Sequence, residues 1–236
     1  MRFRRSTLAV FLLATAACGS LLGIGDIEGP DATTPTPETG APDTGTDRTV
    51  PVEDAGGDTS VAETGPRAKI VFVTTATFSG GVNGPSGADE ECANEALDAG
   101  LEAGTWRAWL SVGSTNAIDR IEHTGPYKRV DDQIVVKEKE QLTKGALDKT
   151  ITVTAHNKVS VGTTLVWTGT NLDGKKAEGT CADWTSGANF NFGTMGDNNN
   201  TDAKWTHNGG RPNPPVPFPA GTWDCGQPGH LYCFER

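Results

Sequence analysis

Residues 67–236 predict one α+β domain, and three observations carry that reading. A strand-like run, Lys69–Thr74, opens the segment. Apolar positions then recur at the helical period, and short strand candidates follow at intervals that suit a mixed domain. Four cysteines, Cys92, Cys181, Cys225 and Cys233, fall inside it.

Lys69-Ile-Val-Phe-Val-Thr74 is the first strand, and the glycine and proline of Gly80-Gly81 and Gly84-Pro85 end it. Ser86 is expected as the N-cap of a helix, with Asp89 three residues on and Asp89, Glu90 and Glu91 at its positive end. Ala88, Cys92, Ala96 and Ala99 share the inward face, which buries Cys92 against the sheet. Further strands are expected at 106–111, 133–136, 151–154 and 164–167, with a last one at Leu231-Tyr-Cys-Phe234. From Ser186 to Trp223 the chain is rich in Gly, Asn and Pro, with Asp197-Asn-Asn-Asn-Thr-Asp202 and then Arg211–Pro219. A loop of this length inside a compact domain is usually functional or disordered.

Residues 1–18 have the form of an export signal: a basic start at Arg2, Arg4 and Arg5, then an apolar stretch from Leu8 to Leu13. About ten apolar residues are too few for a membrane-spanning helix, which needs roughly twenty. Thr15-Ala-Ala-Cys18 resembles a bacterial lipobox, in which the cysteine thiol receives a diacylglycerol, although Thr15 departs from the usual aliphatic residue. Cys18 is therefore the expected lipidated terminus. Gly19 is not the aspartate that would favour inner-membrane retention, so the expected location is the outer membrane, with the lipid as the sole membrane contact. Residues 19–66 are a Pro/Thr/Gly/Asp/Glu tether that cannot bury enough surface to offset its ordering entropy. Such a chain reaches roughly 40 Å root-mean-square.

Without Cys18, an even number of cysteines remains in an exported chain, which argues for two disulfides and leaves three connectivities open. No two of them have the close spacing of a zinc knuckle. The net charge of −10 divides as +3 for residues 1–18, −9 for 19–66 and −4 for 67–236. Neither the tether nor the domain offers the basic footprint of a nucleic-acid or heparin partner.

Five segments carry a family likeness: Gly87-Ala-Asp-Glu-Glu-Cys92; Ala99–Ser111 with Trp106-Arg-Ala-Trp109; Val166-Trp-Thr-Gly-Thr170; Cys181-Ala-Asp-Trp184; and Cys225–Phe234. Together they resemble endostatin-like, C-type-lectin-like domains. They are also similar to an uncharacterised bacterial family found as a module in surface lipoproteins. The likeness runs from Lys69 to Arg236. It implies nested pairing, Cys92 with Cys233 and Cys181 with Cys225, and a long loop region, stapled at its base, where ligands bind.

The resemblance places Trp167 in the central strand, and Trp106, Trp109 and Trp184 are expected in or near the core. Trp205, Phe218 and Trp223 lie in the polar loop and are expected as ligand-binding rings, with Asp197, Asn199 and Asp202 as polar contacts. The oxygens of Asp197–Asp202 are of the type calcium takes. The Glu-Pro-Asn or Gln-Pro-Asp triplet of sugar-binding lectins is missing, however, and Arg211-Pro-Asn213 puts a cation where a ligand is needed. No cofactor is expected. The histidines His123, His156, His207 and His230 are scattered, with no nucleophile-elbow or phosphate-loop pattern. The expected function is a surface-anchored binding or adhesion module for a glycan or an extracellular protein, not an enzyme. The alternative is a hydrolase of envelope or extracellular polysaccharide, recognisable by carboxylates and a histidine converging in one pocket.

Overall fold

Strand β1, Lys69–Val73, holds the middle of a five-stranded sheet because its side chains are apolar in both directions. Phe72 joins one buried cluster, and Val71 and Val73 join a second. A computed structural model describes residues 65–102, 104–144, 146–160, 162–210 and 221–236. The expected export segment, Cys18 and Phe218 lie outside the described residues, as does nearly all of the expected tether.

In chain order, β1 is followed by α1 (Gly84–Asp98), β2 (Trp106–Ala108), α2 (Ala117–Arg120), β3 (Tyr127–Lys128) and β4 (Ile134–Val136). Then come β5 (Leu165–Trp167), β6 (Phe192–Gly193), β7 (Met195–Asp197), β8 (Trp223–Asp224) and β9 (Tyr232–Glu235). The main sheet has the order β2-β9-β1-β3-β4; β9 runs antiparallel to both neighbours, and β1 and β3 are parallel. Two ribbons, β5-β7 and β6-β8, stand apart from it. The architecture is mixed α+β with few helices.

Helix α1 begins two residues before Ser86. Asn83 is the N-cap, in the left-handed region at φ 59°, and Pro85 sits in the first turn, where its missing N–H has no intrahelical role. The proline expected to act as a breaker therefore starts the helix. Ala88, Cys92 and Ala96 are buried as their spacing requires, and Cys92 is bonded to Cys233 of β9. Cys181 is bonded to Cys225, so the two bridges are nested.

Extended backbone continues past the short β2, with Trp109 N–H donating to the Tyr232 carbonyl at 2.9 Å and Ser111 N–H to Thr168 at 2.9 Å. Residues 151–154, expected as a strand, form none. Asn157, at φ 56°, turns the chain back on itself after a single bridge between Val153 and Val159. The expected 186–223 loop likewise contains β6, β7, a 3₁₀ turn at Ala203–Trp205 and β8. Cys181, Ala182, Asp183 and Trp184 all have φ between 50° and 67°, so together they make a left-handed turn. L-residues rarely enter this region in succession. The turn is held at one end by the disulfide and at the other by Trp184, whose ring N–H donates to the Ser111 carbonyl at 2.8 Å. Among the described residues no helix is long and apolar enough to cross a membrane.

Candidate functional site: clefts meeting at His207

The Asp197–Asp202 stretch folds as a chain of turns. Asp197 ends β7, and its Oδ1 accepts the Asn199 N–H at 3.0 Å. The side chain of Asp202 accepts the Lys204 N–H at 2.9 Å and so caps the 3₁₀ turn. Asn199 and Asp202 are exposed and Asp197 is half-buried. Asn198 is buried, donating from Nδ2 to Ser160 Oγ at 2.9 Å, while its Oδ1 has no protein partner.

Of the three expected rings, Trp205 requires a correction, because it is 0% exposed. The capped turn directs its ring inward, between Trp109 (centroids 5.0 Å apart) and Tyr232 (5.4 Å). Its carbonyl accepts the Tyr232 hydroxyl at 3.0 Å. Burial of this kind leaves no face for a ligand. Phe218 lies outside the described residues. Trp223 is half-buried, with its Nε1–H directed at Asn208 Oδ1 at 3.4 Å.

Two clefts open on this side of the molecule. One, of ≈ 380 Å³, is lined by Leu172, Asp202, Ala203, Lys204, His207, Asn208 and Gly209. The other, of ≈ 280 Å³, is lined by Asn171, Ala177, Glu178, Thr194, His207, Gly221 and Thr222. His207 lines both. Leu172 is about half exposed, unusual for its size, and gives the first cleft an apolar wall. Beside it stand an ammonium, a carboxylate and an amide. The residues that sequence reasoning missed are Leu172, Glu178, His207 and Asn208. A large apolar residue at Leu172, in the polar turn before Asp173-Gly174, was the available signal.

Elsewhere, a groove of ≈ 340 Å³ beside α1 brings together Glu91, Glu95, Asp98, His156 and Phe78. The Glu95 carboxylate accepts the Thr75 N–H at 2.8 and 2.9 Å and the Thr75 hydroxyl at 2.9 Å. A larger cleft of ≈ 670 Å³ lies at the start of the described residues, lined by Pro66, Arg67, Pro126, Lys128 and Ile134 among others. Among the described residues no group of three or more His, Cys, Asp or Glu side chains is arranged to hold a metal ion.

A family model described as a protein of unknown function (DUF1554) matches residues 75–201, more than half of the chain. The match includes Cys92 and Cys181 but stops short of Cys225 and Cys233, and it omits the sheet-forming strands β1 and β9. No curated protein matches the chain.

Proposed function

The chain belongs to the DUF1554 family of proteins of unknown function, and on that premise we propose that it is a surface-displayed binding module for a glycan or an extracellular protein. In this reading Cys18 carries the lipid anchor at the outer membrane, residues 19–66 hold the module off that surface, and the fold is of the endostatin-like, C-type-lectin-like kind. The nested Cys92–Cys233 and Cys181–Cys225 bridges support the fold reading.

The observation that carries the function is the meeting of two clefts at His207, with the apolar side chain of Leu172 next to Asp202, Lys204 and Asn208. An apolar wall with a few fixed polar groups is the usual make-up of a small recognition site. Trp223, hydrogen-bonded to Asn208, supplies a flat ring at its border. This recognition is read as independent of calcium: Asp197 Oδ1 and Asp202 Oδ1 each accept a backbone N–H of the turns.

The test is a glycan and extracellular-matrix array probed with the mature chain. Leu172→Ser and Trp223→Ala are expected to weaken the best hit at least tenfold with little change in thermal unfolding, and chelator is expected to have no effect. Unchanged affinity in both variants would move the site away from these clefts. A second reading, a polysaccharide hydrolase, draws on the groove beside α1, where Glu91, Asp98 and His156 converge. Release of reducing ends by the parent chain but not by Glu91→Gln would favour it.

A further inference from the structure

We propose that Asn208 is a site of self-modification, in which the backbone nitrogen of Gly209 displaces the side-chain amide nitrogen of Asn208. His207 is the base. The product is an aspartyl or isoaspartyl residue at the edge of the cleft, and the reaction does not depend on what the cleft binds.

Contacts at this dipeptide provide a proton acceptor, stabilisation of developing charge and a fixed backbone. The Gly209 N–H donates to His207 Nδ1 at 3.2 Å, so the imidazole lone pair already faces the proton that must leave before the nitrogen can attack. Asn208 Oδ1, where negative charge develops, accepts the Gly210 N–H at 3.0 Å and lies 3.4 Å from the indole N–H of Trp223. The Gly210 donor stands at the distance an oxyanion hole requires, and the indole N–H adds a second, longer contact. The Asn208 N–H is fixed to the Met195 carbonyl at 2.9 Å, so the reacting residue is held in place.

The two glycines are part of the arrangement. Gly209, at φ 82°, is exposed, and a Cβ there would meet nothing within 4 Å, so no side chain shields the nucleophile and water has access. Gly210, at φ 73°, passes so close to Gly221 that a Cβ would lie 2.3 Å from its backbone. Only glycine permits that approach, and it brings the Gly210 N–H to the Asn208 oxygen.

The reaction balances with water alone. A bond forms between Gly209 N and Asn208 Cγ, and His207 Nδ1 takes the proton from the attacking nitrogen. The Cγ–Nδ2 bond then breaks; the same proton passes to Nδ2, which leaves as ammonia, and a cyclic imide remains. Water opens the imide at either carbonyl, giving aspartate or isoaspartate. The net change is amide plus water to carboxylate plus ammonium. A neutral amide paired with Gly210 and Trp223 thus becomes an anion beside His207 and Lys204.

Asn83-Gly84, the same dipeptide at the start of α1, provides an internal reference, since Asn83 makes no side-chain capping hydrogen bond. The experiment is to hold the full chain at neutral pH, folded or unfolded in guanidinium chloride, and follow both asparagines by peptide mass spectrometry with isoaspartyl methyltransferase labelling. In the folded chain Asn208 is expected to react faster than Asn83 and faster than Asn208 in the unfolded chain. His207→Gln is expected to slow it by roughly 100-fold, the low end for a positioned general base. A folded-state rate at Asn208 no greater than the unfolded rate would overturn the proposal. So would an unchanged rate in a folded His207→Gln variant.

Discussion

Arg120 reaches back from α2 to grip Asp89 of α1, its Nη2 lying 2.7 and 2.8 Å from the two carboxylate oxygens. The same carboxylate accepts the Ala108 N–H at 2.8 Å and an Arg107 Nη1 contact at 3.1 Å. Arg120 Nη1 meanwhile donates to the Ala108 carbonyl at 2.6 Å. One acidic side chain thus joins the helix, the edge strand β2 and α2. Both partners are largely buried, so removing either strands a charge. Asp89→Ala is expected to destabilise the fold by about 3–5 kcal/mol, the range for breaking a buried pair. Denaturant unfolding measures it, and a loss below about 1 kcal/mol would reduce the pair to an ordinary surface contact.

Trp205 and Trp223 should separate stability from recognition. Trp205→Ala removes a fully buried ring from the cluster of Trp109, Tyr232 and Phe234, for an expected loss of about 3–5 kcal/mol. Trp223→Ala, at a half-buried position, should cost well under half of that and act on binding instead. Equal losses from the two would contradict the burial described for them.

Acid and alkali should each weaken the fold through identifiable groups. Burial holds the His123 imidazole below the ordinary histidine value, so its contribution is complete above pH 6.5 and is lost as pH falls through the folded value. The hydrogen bond from Arg129 lowers Asp131 below the carboxylate value of 3.8, which adds a second loss of the same sign further into acid. Burial raises Tyr127 and Tyr232, so their contribution is present below pH 10 and disappears as pH rises beyond it. Thermal unfolding across the pH range should show a plateau near neutrality. His123→Gln should flatten the first acid limb; an identical limb in that variant would assign it elsewhere.

Ala182 is exposed and sits at φ 54°, ψ 53°, where a Cβ is unfavourable by roughly 1–2 kcal/mol. Glycine relieves that while adding about 0.4–1 kcal/mol of unfolded-state entropy. Ala182→Gly is therefore expected to stabilise the fold by about 0.5–1 kcal/mol. A lower melting temperature would mean that the turn is not left-handed in solution.

The parts of this molecule legible in the sequence are those with a local signal. β1 announces itself by consecutive β-branched and aromatic residues, and the inner face of α1 by the four-residue spacing of Ala88, Cys92 and Ala96. β3 has no local signal, because two residues, Tyr127 and Lys128, have no period; they are a strand only because β1 and β4 lie on either side of them. Trp205 has the sequence surroundings of a loop residue because its neighbours in sequence are polar while its neighbours in space, Trp109 and Tyr232, are distant in the chain. The clefts were hidden for the same reason. His207 acquires its surroundings from Leu172, Glu178 and Gly221, none within ten residues of it. The family likeness implied the nested bridges, which pattern alone left open among three pairings.

Strand β9 lies between β2 and β1, and its Cys233 is tied to the helix through Cys92. During synthesis the two strands that flank it must therefore wait, unpaired on that side, until residues 232–235 leave the ribosome. The sheet cannot close behind a growing chain. Closure of this part of the sheet thus has a fixed order in time: β1 and β2 are made first, β9 then completes the hydrogen bonding of both, and the bridge that ties β9 to α1 forms only once its later thiol exists and meets an oxidant.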